Sequence, residues 1–189
     1  MPAQRHRRGF ILGGCILCSR FFIGRVRSIT TKTMRYWLMK SEPDETSIDD
    51  ALAAKADGVA WTGVRNYQAR NFMRDEMRVG DGVLFYHSSC AEPGIAGLAE
   101  VNSTCYPDPT QFDSKSPYYD PKSTRDNPRW LLVDVKAKEK TRLIGLPELR
   151  EHAELSDMII LRRGNRLSIT PVTAAEWKFI VQRLIPKKS

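Results

Sequence analysis

"RYWLMKSEPDETSIDDALAAKADG", residues 35–58, carries two different structural instructions back to back. Residues 35–40 are bulky and aromatic throughout, the composition of a buried strand. Pro43 cannot continue a central ladder, so the chain turns at "SEP". Ser47 then stands as an N-cap with Asp50 in the reciprocal position of a capping box. Ile48, Ala51 and Leu52 give one apolar face, and Gly58 supplies the stop. A buried strand that turns sharply into a short helix is the starting unit of the fold.

Working outward, Asn66 to Glu76 has Tyr67, Phe72 and Met77 at helical spacing among Arg65, Arg70, Arg74 and Arg78, which predicts a second short helix. "VGDGVLFYHSS" (79–89) predicts a tight turn at Gly80-Asp81-Gly82 that feeds a strand centred on Leu84 to Tyr86. "EPGIAGLAEVNSTCYP" (92–107) predicts another strand, with glycines at 94 and 97 where backbone or ligand can approach closely. Tyr106 to Arg129 has no period and is longer than an ordinary connection, which marks it as a candidate functional loop. "RWLLVDVKAKEKTRLI" (129–144) is the clearest strand. "LPELREHAEL" (146–155) reads as a helix started by its proline. "LSIT" reads as the last strand, before a final helix with Thr173 and Glu176 as its capping box. Strands joined by turns and short helices, without repeated strand-helix crossovers, favour an α+β fold: a small, curved mixed sheet or barrel with peripheral helices.

Charge separates the chain into two parts. Of 30 basic residues, Arg5, Arg7, Arg8, Arg20, Arg25, Arg27 and Lys32 fall in residues 1–33, which hold no acid; the rest has 23 basic against 22 acidic residues. The body is nearly neutral, so electrostatic affinity has to come from local patches. Residues 1–33 read as a basic extension, expected to be a disordered segment, a presequence or a mis-assigned start, with Met34 the favoured beginning. The expected location is cytoplasmic, nucleoid-associated as one form of it, or organellar if the extension is genuine in a eukaryote. No apolar run suits a membrane span, and a monomer is the default.

Little here suggests chemistry. Glycines never fall at nucleotide-loop spacing. Cys15 and Cys18 form a Cys-x-x-Cys with no second ligand pair, so neither a metal nor another cofactor is expected. His87, Ser88 and Cys90 are close in sequence but lack a nucleophile elbow and an orienting third member. Glu42 and Asp44 flank a turn proline, an ordinary place for solvated acids. The expectation is a protein that is not an enzyme.

Five segments in order, "YWLMKSEP" (36–43), "WTGVRNYQARNF" (61–72), "FYHSSCAEPGIAGLAEV" (85–101), "YPDPTQFDSKSPYYDPKSTRDNPRW" (106–130) and "LSITPVT" (167–173), resemble the EVE domain family. The resemblance covers residues 35–184 and none of the extension. It implies a PUA-like fold, a curved mixed β-barrel with peripheral helices over residues 34–189. It implies binding of modified nucleobases, chiefly modified cytosine in DNA. The alternative is an RNA-binding module of PUA type acting on transfer, ribosomal or other RNA.

A base enclosed by protein has first to leave its stack, and a pocket recovers that cost by stacking and by satisfying the base edge. By the resemblance, Trp61 takes the place of one wall of the base cage, with Tyr86 as a second aromatic. Ser41 and Lys40 at the end of the first strand face the base edge, and Glu42 can accept from an exocyclic amine. Thr62 and Asn66 bring a hydroxyl and an amide toward the same place, while His87 and Ser88 are edge or phosphate contacts. Gly97 leaves room for the ligand. Arg65, Arg70, Lys115 and Lys122 are the candidate phosphate contacts, which position a strand without reading it.

Overall fold

A computed structural model describes residues 33–186; the basic extension, with Cys15 and Cys18, falls outside the described residues apart from Thr33. The chain builds β1 (Tyr36–Ser41), α1 (Ile48–Ala53), β2 (Val59–Ala60), α2 (Tyr67–Asn71), β3 (Gly82–His87) and β4 (Gly94–Val101). It continues with β5 (Tyr106–Pro107), β6 (Leu131–Leu132), β7 (Asp134–Gly145), α3 (Leu146–Arg150), β8 (Ile169–Val172) and α4 (Ala174–Phe179). Six strands make one mixed sheet in the order β2-β7-β4-β3-β1-β8, and β5 and β6 pair apart from it. The β1–β3 pair is parallel and the other neighbours are antiparallel. Register shifts in β3–β4 and β4–β7 bend the strands, since a bulge increases local twist. The result is the expected PUA-like α+β architecture, a sheet curled into a half-barrel.

Period-two alternation gives each face of the sheet its own core. Trp37, Met39, Val83 and Phe85 lie on one face under α1 and α2, with Ile48, Ala51, Ala69 and Met73 packed against them. Leu38, Leu84 and Tyr86 lie on the other, under Leu149, Leu155, Ile180 and Leu184 from α3, α4 and their neighbours. Both predicted capping boxes form, Ser47 with Asp50 and Thr173 with Glu176. The helix predicted over Asn66–Glu76 is composite: α2 passes at Phe72 into a π-helical turn, Phe72–Glu76. The clear strand predicted over 129–144 is split into β6 and β7. At the predicted tight turn, the Asp81 carboxylate is buried and accepts from the backbone N–H groups of Arg35 and Arg78 and from the Trp37 indole. That ties the entry of β3 to the start of β1.

Candidate nucleobase pocket

The parallel strands β1 and β3 end level, Ser41 opposite His87, and the Ser88 N–H donates to the Ser41 carbonyl at 2.8 Å. Beyond that end opens a cavity of about 630 Å³. Its floor comes from Lys40, Ser41 and Glu42 after β1 and from Ser88 and Ser89 after β3. Trp61, Thr62, Gly63 and Val64, just past β2, supply one side. Tyr118 from the long loop and Arg166 and Ser168 ahead of β8 complete it.

Trp61 serves the core and the cavity together. Its indole packs edge-on against Phe85, ring centroids 5.1 Å apart, and only 6% of it stays exposed. Phe85 therefore fixes the plane of the cavity's indole. Tyr118 is the second aromatic. Gly63 has φ +79°, and a Cβ there would lie 2.7 Å from Cζ of Tyr118, so the ring rests directly on the Gly63 backbone. Only glycine combines that conformation with that approach.

Tyr118 is held at three points. Its hydroxyl donates to the Glu45 carboxylate. That hydrogen bond, then burial, pushes the phenol up to about 12, so it stays a protonated donor. Its carbonyl accepts from Nε of Arg65 at 2.9 Å, and the same guanidinium lies 5.5 Å from the ring centroid. Arg65 in turn pairs with Asp108 at 2.8 Å, whose side chain is 0% exposed. Burial alone would raise the Asp108 carboxyl. Donors from the Thr110 hydroxyl, Arg65, and the N–H groups of Thr110 and Gly63 outweigh it and hold Asp108 below the usual carboxylate range.

The rest of the long loop is built as tightly. The buried Gln111 amide donates to the carbonyls of Asp108 and Trp130 and accepts from the N–H groups of Arg129 and Trp130. The Trp130 indole donates to Asp120 at 2.7 Å. Loop 106–130 is therefore a fixed wall, despite its lack of periodicity.

Of the predicted pocket residues, Trp61, Ser41, Lys40, Glu42, Thr62 and Ser88 meet at the cavity. Ser41 also closes its own turn, donating to the Thr46 carbonyl at 2.7 Å. Burial lowers the Lys40 ammonium from its ordinary value, because its charge is partly desolvated beside the cavity.

The others are placed differently. Asn66 caps α2, its side-chain oxygen accepting from the N–H groups of Gln68 and Ala69. Tyr86 points to the opposite face of the sheet and joins the core beneath α3 and α4, where burial raises its phenol. Its alternation with Phe85 dictates this. His87 accepts through Nε2 from the Ile48 N–H at 3.1 Å, closing the first turn of α1; burial lowers its imidazole, as suits a neutral acceptor. Gly97 makes room for the helix, since a Cβ would lie 2.5 Å from Cδ1 of Ile48.

The predicted phosphate contacts fare likewise. Arg65 is committed to Asp108 and Tyr118. Arg70 donates to the Asn71 side chain and the Arg129 carbonyl, and covers the Tyr67 ring at 4.7 Å. Lys115 and Lys122 are exposed on the loop, away from the cavity lining. Sequence reasoning missed Tyr118, Glu45 and Arg166; for Tyr118, the signal was an aromatic pair inside an aperiodic segment.

The EVE domain profile matches residues 35–183. The chain belongs to the EVE domain family. Thymocyte nuclear protein 1 of Danio rerio is 47% identical over 163 residues, 77% of this chain and 70% of that protein. The crystal structure of human THYN1 in complex with 5-methylcytosine-containing DNA matches at TM-score 0.75 and 42% identity, covering 82% of this chain and 99% of that one. A crystal structure from Pseudomonas putida matches at TM-score 0.73 and 48% identity, covering 77% of this chain and 97% of that one. Among the described residues of this EVE domain, no cluster of His, Cys, Asp and Glu suits a metal ion. None of their helices is long and apolar enough to cross a membrane.

Proposed function

We propose that this EVE domain binds a modified cytosine of DNA, 5-methylcytosine first, turned out of its stack into the cavity beyond β1 and β3, and that it leaves the base chemically unchanged. The observation that carries this reading is that Trp61 and Tyr118 line one cavity in which the Tyr118 hydroxyl holds the Glu45 carboxylate. A flat base needs aromatic surface, and stacking contributes about 1–3 kcal/mol per base. Cytosine is told from thymine at C4, where it presents an amine instead of a carbonyl. Glu45, fixed by the Tyr118 hydroxyl, accepts from that amine and repels a carbonyl, with Glu42 close by. Lys40, Thr62 and the serine hydroxyls offer the donors for the N3 ring nitrogen and the C2 carbonyl. The human relative crystallised with 5-methylcytosine-containing DNA supports the same ligand class. A binding domain for DNA belongs in whichever compartment holds that DNA.

The test is binding of the full chain to matched oligonucleotides with one central cytosine, 5-methylcytosine, 5-hydroxymethylcytosine or thymine, in DNA and RNA. The expected result is a preference for 5-methylcytosine DNA over cytosine of tenfold or more, about 1.4 kcal/mol, with thymine rejected although it carries the same methyl group. Glu45→Gln should narrow the gap between 5-methylcytosine and thymine. Equal binding of all bases, or preference for RNA regardless of base, contradicts the reading.

A further inference from the structure

The two arginines that looked available for phosphate are used inside the protein, which leaves open where a strand flanking the bound base would be held. Five exposed cations elsewhere are neutralised locally, Arg35 by Glu76, Arg74 by Asp75, Lys138 by Glu100, Lys140 by Asp49 and Arg142 by Glu148, and others such as Lys55, Lys115 and Lys122 are exposed outside these ion pairs but scattered along the chain. One segment differs. In "LRRGNR" (161–166), Arg162, Arg163 and Arg166 are all exposed, and none lies within ion-pair distance of a carboxylate among the described residues. Arg162 donates to the Asp157 carbonyl, at 3.4 Å.

The loop's geometry holds these guanidiniums outward. Asn165 anchors it, donating to the Ile159 carbonyl at 3.2 Å and accepting from the Leu167 N–H at 3.0 Å. Gly164, at φ +78°, has nothing within 4 Å of where a Cβ would stand. Arg166 lines the cavity itself, so the loop begins at the pocket and leads away from it. On a body of nearly balanced charge, three unpaired guanidiniums within five residues form a concentrated positive patch.

We infer that the Arg162–Arg166 loop is the docking surface for the phosphates of the strand flanking the pocket occupant. This rests on the base-reading proposal for the location of the occupant. Arginine suits the task because its planar fork matches phosphate oxygens and stays charged. Such contacts position the strand and carry no sequence information, so they act on all bases alike.

The experiment compares the full chain with R162Q/R163Q/R166Q, and with K138Q/K140Q/R142Q as a variant that loses the same charge from locally paired positions. Binding to cytosine and 5-methylcytosine DNA is measured from about 50 to 200 mM salt, the range over which phosphate contacts weaken steeply. The arginine-loop variant is expected to weaken both DNAs by the same factor, at least about tenfold at low salt, and to lower the slope of log K against log salt by about two to three. Its preference for the methylated base should persist. The control should change affinity by less than about threefold, since its charges are already compensated. Unchanged affinity and slope in the arginine-loop variant, or an equal loss in both variants, overturns the inference while leaving base reading intact. A wild-type chain without modification preference, combined with loss in the arginine-loop variant alone, contradicts the base reading and leaves the docking surface standing.

Discussion

Two irregular segments border the cavity and are built on opposite principles. Loop 106–130 is knit together by an inward set of polar groups: Asp108, Gln111, Asp120 and Trp130 satisfy one another and the backbone, and Tyr118 is delivered to the pocket as part of that wall. Loop 162–166 turns its charges outward and is held mainly through Asn165. On the proposed function, the difference separates two tasks. A surface that must recognise the shape of a base needs fixed geometry, because loose walls lose discrimination. A surface that follows a phosphate chain needs charge and tolerance of position.

Arg65→Met leaves the Asp108 carboxylate buried with three remaining donors and no countercharge. Removing one partner of a buried pair costs about 3–5 kcal/mol, and the lower end applies here because those donors persist. Urea denaturation should show that loss. Hydrogen exchange should show faster opening in 106–130 and no change at 162–166.

Glycine substitutions sharpen the contrast, because Gly63 and Gly164 share a left-handed backbone and differ in what faces them. Alanine at either site incurs the conformational cost of about 1–2 kcal/mol. Gly164→Ala should lose only that. Gly63→Ala should lose more and also weaken base binding, since the new methyl group displaces the Tyr118 ring. Equal losses at the two sites would mean that the Tyr118 contact contributes nothing.

The smallest effect is the acid response of the fixed wall. The Asp108 carboxyl sits below its ordinary 3.8 when folded, so it contributes stability that is whole above the unfolded value and is lost as pH falls through the folded one. Protonation removes the charge instead of stranding it, so the loss is milder than in Arg65→Met. Comparing urea midpoints of wild type and Asp108→Asn from pH 6 downward should reveal a wild-type advantage that shrinks below about pH 4. A constant difference would deny Asp108 that role.

The sequence made the scaffold legible where short-range rules decide it. Strand β1, both capping boxes and the Asp81 turn follow from neighbours a few residues apart. Part of the pocket followed as well, because Lys40, Ser41, Glu42 and Ser88 stand at the ends of strands that their bulky apolar composition already marked. The remainder depends on contacts at long range. Nothing near Arg65 announces that Asp108, 43 positions away, will consume its charge, and nothing near Tyr118 announces that Gly63 will receive its ring. Tyr86 is a different lesson: strict alternation with Phe85 already assigns it to the other face, and its chemical appeal as an aromatic hid that. His87 and Gly97 look functional in sequence and are spent on seating α1.

The proposed function puts the methylated base within reach of Trp61 and Tyr118. A DNA oligonucleotide with a carbon-13-labelled methyl on its single 5-methylcytosine reports this directly, because a methyl group close to an aromatic face is shifted upfield by the ring current. The methyl resonance is expected to move upfield on saturation with the full chain, and the shift should collapse with Tyr118→Leu while binding weakens. A methyl resonance that stays at its free position on fully bound DNA, or a shift indifferent to Tyr118, would contradict the account.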